Sequence, residues 1–154
     1  MSLISFKDIK QLLGTYRKGN IKLVFTNGCF DLLHKGHIDL LLNAAALGDK
    51  LFVGLNSDKS VKKLKGDSRP IQNEKTRSQK LLELKYVNHV IIFEDLTPKK
   101  LIHIISPDVL VKGGDYKKSE IVGASHVISS GGVVKIVPLT PGFSTTLMIE
   151  KSSN

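Results

Sequence analysis

Apolar runs of strand length alternate with helical periodicities along this chain, and that alternation restricts its fold more than any other feature. Strand-like runs occupy residues 21–26, 51–56, 89–93, 109–112 and 133–138, and helical spacing of apolar residues fills 36–47, 74–86, 98–105, 120–129 and 144–151. Such a pattern predicts an α/β fold, a parallel five-stranded sheet with helices on both faces. A further helical stretch, 6–18, precedes the first strand and is expected to pack on the outside of the sheet. Residues 1–20 then form an N-terminal helix on the core of a single domain spanning 1–154.

Composition bounds the rest. With 154 residues, 41% hydrophobic and 24% charged, the chain suits one compact domain with a proper core and leaves no room for two. The most apolar stretches, 40–47 and 87–93, are too short to span a bilayer, and the N-terminus lacks a basic-then-apolar signal pattern. One cysteine excludes an intrachain disulfide and fits a reducing compartment, so a soluble cytoplasmic protein without a membrane partner is expected. The net charge of +9 suits nucleic acid or small polyanions. Basic residues gather at Lys59, Lys62, Lys63, Lys65, Arg69, Lys75, Arg77 and Lys80, where Lys62 and Lys63 read as a solvated loop. Three Tyr, six Phe and no Trp leave few stacking platforms for bases, so small phosphorylated molecules are expected as partners rather than nucleic acid.

The most specific motif is His34-Lys-Gly-His37, set between the first strand and an apolar helical pattern that begins at Ile38. With 5 His and 13 Gly in the chain, random order would produce roughly 0.013 such tetrads, so chance explains it poorly. Three residues apart at a helix start, the imidazoles share one side, next to amides without an intrahelical partner and the positive end of the helix dipole. Gly36 removes the side chain that would block an approaching phosphate. A zinc site of Cys29, His34 and His37 is an alternative that lacks a visible fourth ligand. Cys29 as a nucleophile beside a histidine is another.

In an open parallel sheet, ligands bind beyond the carboxyl ends of the strands, where strand order reverses. Four motif loops fall on that edge: 27–37 after the first strand, Asn56 to Asp58 after the second, 113–116 after the fourth and 142–146 after the fifth. Ser144, Thr145 and Thr146 open the last helix, so they either bind nucleotide phosphates or cap that helix. Gly113 and Gly114 let a base or ribose approach the backbone, with Asp115 as acceptor for a hydroxyl. Asp31 either orients the histidine loop or caps the helix.

The tetrad together with Gly28-Cys-Phe-Asp31 resembles the signature of HIGH-type nucleotidyltransferases. Phe25-Thr-Asn-Gly-Cys-Phe-Asp31, Asn56-Ser-Asp58, Leu64-Lys-Gly-Asp-Ser-Arg-Pro70, Leu110-Val-Lys-Gly-Gly-Asp-Tyr116 and Ser144-Thr-Thr146 extend the resemblance to the adenylyltransferase domain of bacterial ADP-heptose synthases, from about Phe6 to the C-terminus. The resemblance implies a Rossmann-like nucleotidyltransferase fold and transfer of AMP from ATP to D-glycero-β-D-manno-heptose 1-phosphate. It also implies catalytic roles for His34, His37, Lys65 and Arg77, the last two as phosphate clamps. Gly28, Cys29, Phe30, Asp31, Gly36, Gly113, Asp115, Ser144, Thr145 and Thr146 are expected to bind the nucleotide, and Asn56, Asp58 and Arg69 the acceptor. Magnesium is expected to arrive with ATP on the substrate phosphates, since no dedicated carboxylate cage is visible. A homodimer is expected, supplied by a separate sugar kinase because no kinase half is present. One departure, Asn88 where the family often carries Asp, lies away from the motif loops. The alternative within the superfamily is a cytidylyltransferase acting on glycerol 3-phosphate or a similar small phosphorylated alcohol.

Overall fold

Central strands of a parallel sheet are buried on both faces and so read as continuous apolar runs. In the computed structural model, which describes residues 2–114 and 116–138, strand β2 (Leu23–Gly28) and strand β3 (Lys50–Asn56) fit that account. Leu23, Val24, Phe25, Leu51, Phe52, Val53 and Leu55 are all buried. Alternate side chains serve opposite faces. Phe25 and Phe52 join one apolar cluster, and Val24, Leu51 and Val53 join the other.

Helices cover both clusters. On one face, Ile9 and Leu13 of α1 (Ile9–Lys18), Leu101, Ile102 and Ile105 of α5 (Lys99–Ile105) and Val127 of α6 (Ala124–Ser129) pack on Phe25, Phe52 and Ile91. On the other, Leu41 and Ala44 of α2 (Lys35–Ala45) and Leu81 of α4 (Glu74–Leu82) pack on Val24, Val53, Val90 and Val111. Close packing fixes Gly54: a Cβ there would lie 2.8 Å from Phe25 Cζ on the neighbouring strand.

Among the described residues the sheet has six strands rather than five, all parallel, in the order β1-β4-β3-β2-β5-β6. Strands β4 (His89–Phe93), β5 (Val109–Gly113) and β6 (Val133–Val137) stand where the apolar runs predict. The extra strand, β1 (Ser2–Leu3), adds to the edge by pairing Ser2 with His89 and Leu3 with Val90. Two residues carry no periodicity, so sequence pattern cannot reveal it. Chain order reverses at β2, with β3 on one side and β5 on the other, which places the switch point between the carboxyl ends of β2 and β5.

Two other elements differ from expectation. The lysine-rich stretch is helix α3 (Asp58–Lys65), with Lys62 and Lys63 exposed on it. Ser57 caps it by accepting from the Ser60 amide at 3.1 Å, and its last-turn lysines suit the negative end of the helix dipole. The expected helix at 120–129 is instead a 3-10 turn, Lys118–Glu120, followed by α6, because Gly123 at φ 84° turns the chain between them. The helix expected at 144–151, with the 142–146 loop, lies outside the described residues. No helix among the described residues is long and apolar enough to cross a membrane.

Candidate active site

The histidine loop starts in strained backbone. Phe30 and Leu32 have φ of 45° and 60°, left-handed values that cost on the order of 1 kcal/mol or more each for non-glycine residues and persist only where packing enforces them. Here the enforcement is visible. Phe30 is buried, with its ring folded over Gly28, where a Cβ would sit 3.0 Å from that ring. Between the two strained residues, Asp31 is 1% exposed and accepts hydrogen bonds from the amides of Ile71 at 2.8 Å and Gln72 at 2.9 Å and from Arg69 Nε at 3.3 Å. Asp31 therefore orients the histidine loop; the cap of α2 is His34.

His34 has extended backbone, and its Nδ1 accepts from the His37 amide at 3.4 Å, which leaves Nε2 to carry the proton of the neutral ring. The two imidazoles stack at 3.7 Å with planes 18° apart, and Phe30 meets His37 edge-on at 5.3 Å. Burial lowers the pKa of His34. His37 falls to about 4, through burial first, then the proximity of His34 and Lys65, with Asp31 opposing. Both rings are neutral at pH 7. Parallel planes also argue against the zinc alternative, since in-plane lone pairs of stacked rings do not converge on one ion. Among the described residues no three His, Cys, Asp or Glu side chains are grouped to hold a metal.

Arg77 occupies a different place from the phosphate clamp expected of it. Its guanidinium is fully buried. Nε donates to the Gln72 carbonyl at 2.9 Å, Nη1 to the carbonyls of Cys29 and Asn56 at 2.8 Å each, and Nη2 to Asp58 Oδ1 at 2.7 Å. One side chain thus ties together the loop after β2, the end of β3, the start of α3 and the approach to α4. Asn56 and Asp58 are held in that network, Asn56 through its carbonyl and Asp58 through its carboxylate. Lys65, exposed at the end of α3, is instead close enough for its charge to act on His37 and Cys29.

Helix α2, the neutral histidine pair, Lys65 and the Asp31 and Arg77 anchors all stand at the carboxyl ends of β2 and β3. A family model described as cytidylyltransferase-like matches residues 25–151, most of the chain. The chain belongs to that family.

Relatives within reach of this cytidylyltransferase-like chain are close. A protein named bifunctional protein HldE from Koribacter versatilis is 51% identical over 97% of this chain and 31% of its own length. A protein of the same name from Marinomonas is 47% identical over 98% of this chain and 32% of its own. The chain thus spans about a third of the length of these relatives. Among solved structures, a lipopolysaccharide core biosynthesis protein from Thermoplasma volcanium superposes with a TM-score of 0.63 at 29% identity, covering 78% of this chain and 97% of that one.

Other expected site residues divide. Gly36 lies in the first turn of α2, and Gly113 ends β5 beside Gly114, whose amide donates to the Val137 carbonyl at 3.0 Å. Asp115, Ser144, Thr145 and Thr146 lie outside the described residues. The Cys29 thiol is pushed up by burial, against the lowering influence of Lys65 and Arg77, so it is a poor nucleophile at neutral pH.

Three further residues had no role assigned from the sequence, although Thr26 and Lys112 stand within its motifs. Lys112, near Cys29, is pulled down by burial, and its Nζ lies 5.6 Å from the centre of the Tyr116 ring. A lysine closing the apolar strand 109–111 at its carboxyl end was a readable signal. Glu74 accepts from the Asp58 amide at 3.0 Å, and buried Thr26 donates to the Val111 carbonyl at 2.9 Å, joining β2 to β5 at the switch point. Neither hydrogen bond is signalled by a local pattern, since each joins residues far apart in the chain.

Proposed function

We propose that this protein transfers AMP from ATP to a sugar 1-phosphate, D-glycero-β-D-manno-heptose 1-phosphate, forming ADP-heptose and pyrophosphate. The observation that carries the reading is the pair of neutral, stacked imidazoles at the start of α2, backed by Lys65. An acceptor phosphate oxygen attacks the α-phosphorus, the bond from that phosphorus to the oxygen bridging to the β-phosphate breaks, and its electron pair leaves with pyrophosphate. No proton need move and no covalent enzyme intermediate is required, so the work is positioning and charge stabilisation. His34 donates from Nε2, and the first-turn amides of α2 add donors of their own. The charge of a bound phosphate also opposes the burial that keeps the rings neutral, so its arrival draws them toward the protonated form.

Magnesium carried in by the nucleotide would supply charge neutralisation to its phosphates. Asp31 and Asp58 already serve Arg69 and Arg77, so a magnesium ion here would be held mainly by the nucleotide's own phosphate oxygens. Identity of about 50% to proteins named HldE supports adenylyl transfer into a heptose nucleotide. The second reading, CTP with glycerol 3-phosphate, draws on the cytidylyltransferase-like description of the family. Mass spectrometry of a reaction with ATP, magnesium and heptose 1-phosphate tests the proposal. ADP-heptose should accumulate while the protein mass stays unchanged; an AMP adduct on the protein, or no nucleotide sugar, would refute it.

A further inference from the structure

The crevice at the switch point has two walls, and a lysine stands on the one away from the histidines. Along β5, Val109 and Val111 join the apolar cluster under α2, whereas Leu110 joins the cluster under α5 and α6. Alternation along the strand therefore sends the side chain of Lys112 to the face opposite α2. Lys112 is the last residue of β5 before Gly113, and its charge is felt together with that of Cys29, just past the end of β2. The chain leaving β2 turns onto one face as α2, and the chain leaving β5 turns onto the other as the 3-10 turn and α6. Lys112 and His34 thus flank the strand ends from opposite sides of the sheet, where an open parallel sheet takes its ligand.

We propose that Lys112 binds the nucleoside triphosphate, pairing its ammonium with a phosphate oxygen from the wall that faces the histidine pair; the inference rests on the transferase reading above. A half-buried ammonium needs a counter-charge. The other cations around Cys29 are provided for: Arg69 and Arg77 each hold a carboxylate, and Lys65 is exposed to water. Among the described residues Lys112 Nζ has no ion pair and no hydrogen bond, and its one close partner is the Tyr116 ring, 5.6 Å away at its centre. That ring belongs to a side chain in contact with solvent, and a cation over an exposed ring recovers only part of what dehydrating an ammonium costs. Burial accordingly pulls the lysine pKa down, with only the Cys29 thiol opposing. A nucleotide lying across the strand ends brings the missing anion, and Gly113 and Gly114, next in the chain, place no side chain there.

Calorimetric titration of magnesium ATP and magnesium CTP into wild-type protein, Lys112→Met and Lys112→Arg, with melting temperatures of the free proteins, tests the assignment. Lys112→Met should weaken both nucleotides by about tenfold or more, as loss of a charge-assisted contact does, while Lys112→Arg stays within about threefold. Free Lys112→Met should melt no lower than wild type, because an apolar chain in place of an uncompensated half-buried cation carries no dehydration cost. Unchanged affinity in Lys112→Met, an equal loss in Lys112→Arg, or a lowered melting temperature of free Lys112→Met would overturn the assignment. A loss confined to one of the two nucleotides would overturn it too, by putting the lysine on the base. Wild-type protein that binds magnesium ATP yet forms no nucleotide sugar would remove the transferase reading, and the affinities of the variants would still decide Lys112. Wild-type protein that binds neither nucleotide would overturn both.

Discussion

His34 and His37 are held neutral by burial, so at pH 7 they reach a phosphate as N–H donors rather than as charges. Loss of one such donor commonly lowers turnover by about 100-fold or more. His37→Ala should therefore reduce kcat by at least about that factor with little change in thermal melting, since among the described residues His37 Nδ1 has no hydrogen-bond partner to lose. Near-normal kcat would remove the tetrad from the chemistry. Arg77 should show the opposite balance. Removing it strands the backbone carbonyls of Gln72, Cys29 and Asn56, while half-exposed Asp58 regains water, so Arg77→Ala is expected to lose about 2–4 kcal/mol of stability, read from urea denaturation. A fully stable variant that loses only activity would restore the direct clamp that the sequence suggested.

Among the elements, α3 shows how far sequence reading reached. Its basic residues, Lys62 and Lys63, were legible as a solvated surface, but its helical state was not, because the stretch 58–65 has few apolar residues to set a period. The helix depends on Ser57, on the Asp58 pairing with Arg77 and on Glu74 at the Asp58 amide, contacts made mostly with residues far along the chain. Ser57→Ala should cost about 1 kcal/mol, visible as a lowered urea midpoint. It should also weaken ATP binding by displacing Lys65; an unaltered KM for ATP would show that α3 does not position that lysine. In contrast, β2 and α2 were readable in advance, because a buried apolar run and a helix-start tetrad are local signals. The role of Asp31 depends on Ile71 and Gln72, about forty positions away, and no local pattern discloses it.

Over the whole molecule, three histidines lowered by burial, His34, His37 and His89, couple stability to pH. His89, bonded through Nδ1 to Ser2 Oγ at 3.0 Å and through Nε2 to the Tyr16 hydroxyl at 2.7 Å, is lowered to about 4 mainly by burial, as His37 is. Each has a folded pKa below the ordinary histidine value of 6.5, so between pH 4 and 6.5 the unfolded chain binds more protons. The stability is complete above about pH 6.5 and falls as pH drops toward 4. Urea midpoints at pH 7 and 4.5 should differ in that direction, with a smaller difference in His89→Asn; equal slopes in variant and wild type would exclude His89 as a source. The central claim, adenylyl transfer to a heptose phosphate, is tested most directly by pyrophosphate-release kinetics with ATP or CTP against heptose 1-phosphate or glycerol 3-phosphate. ATP with heptose 1-phosphate should lead in kcat/KM by at least about tenfold, which needs only about 1.4 kcal/mol of differential transition-state binding. Faster turnover of CTP with glycerol 3-phosphate would contradict it.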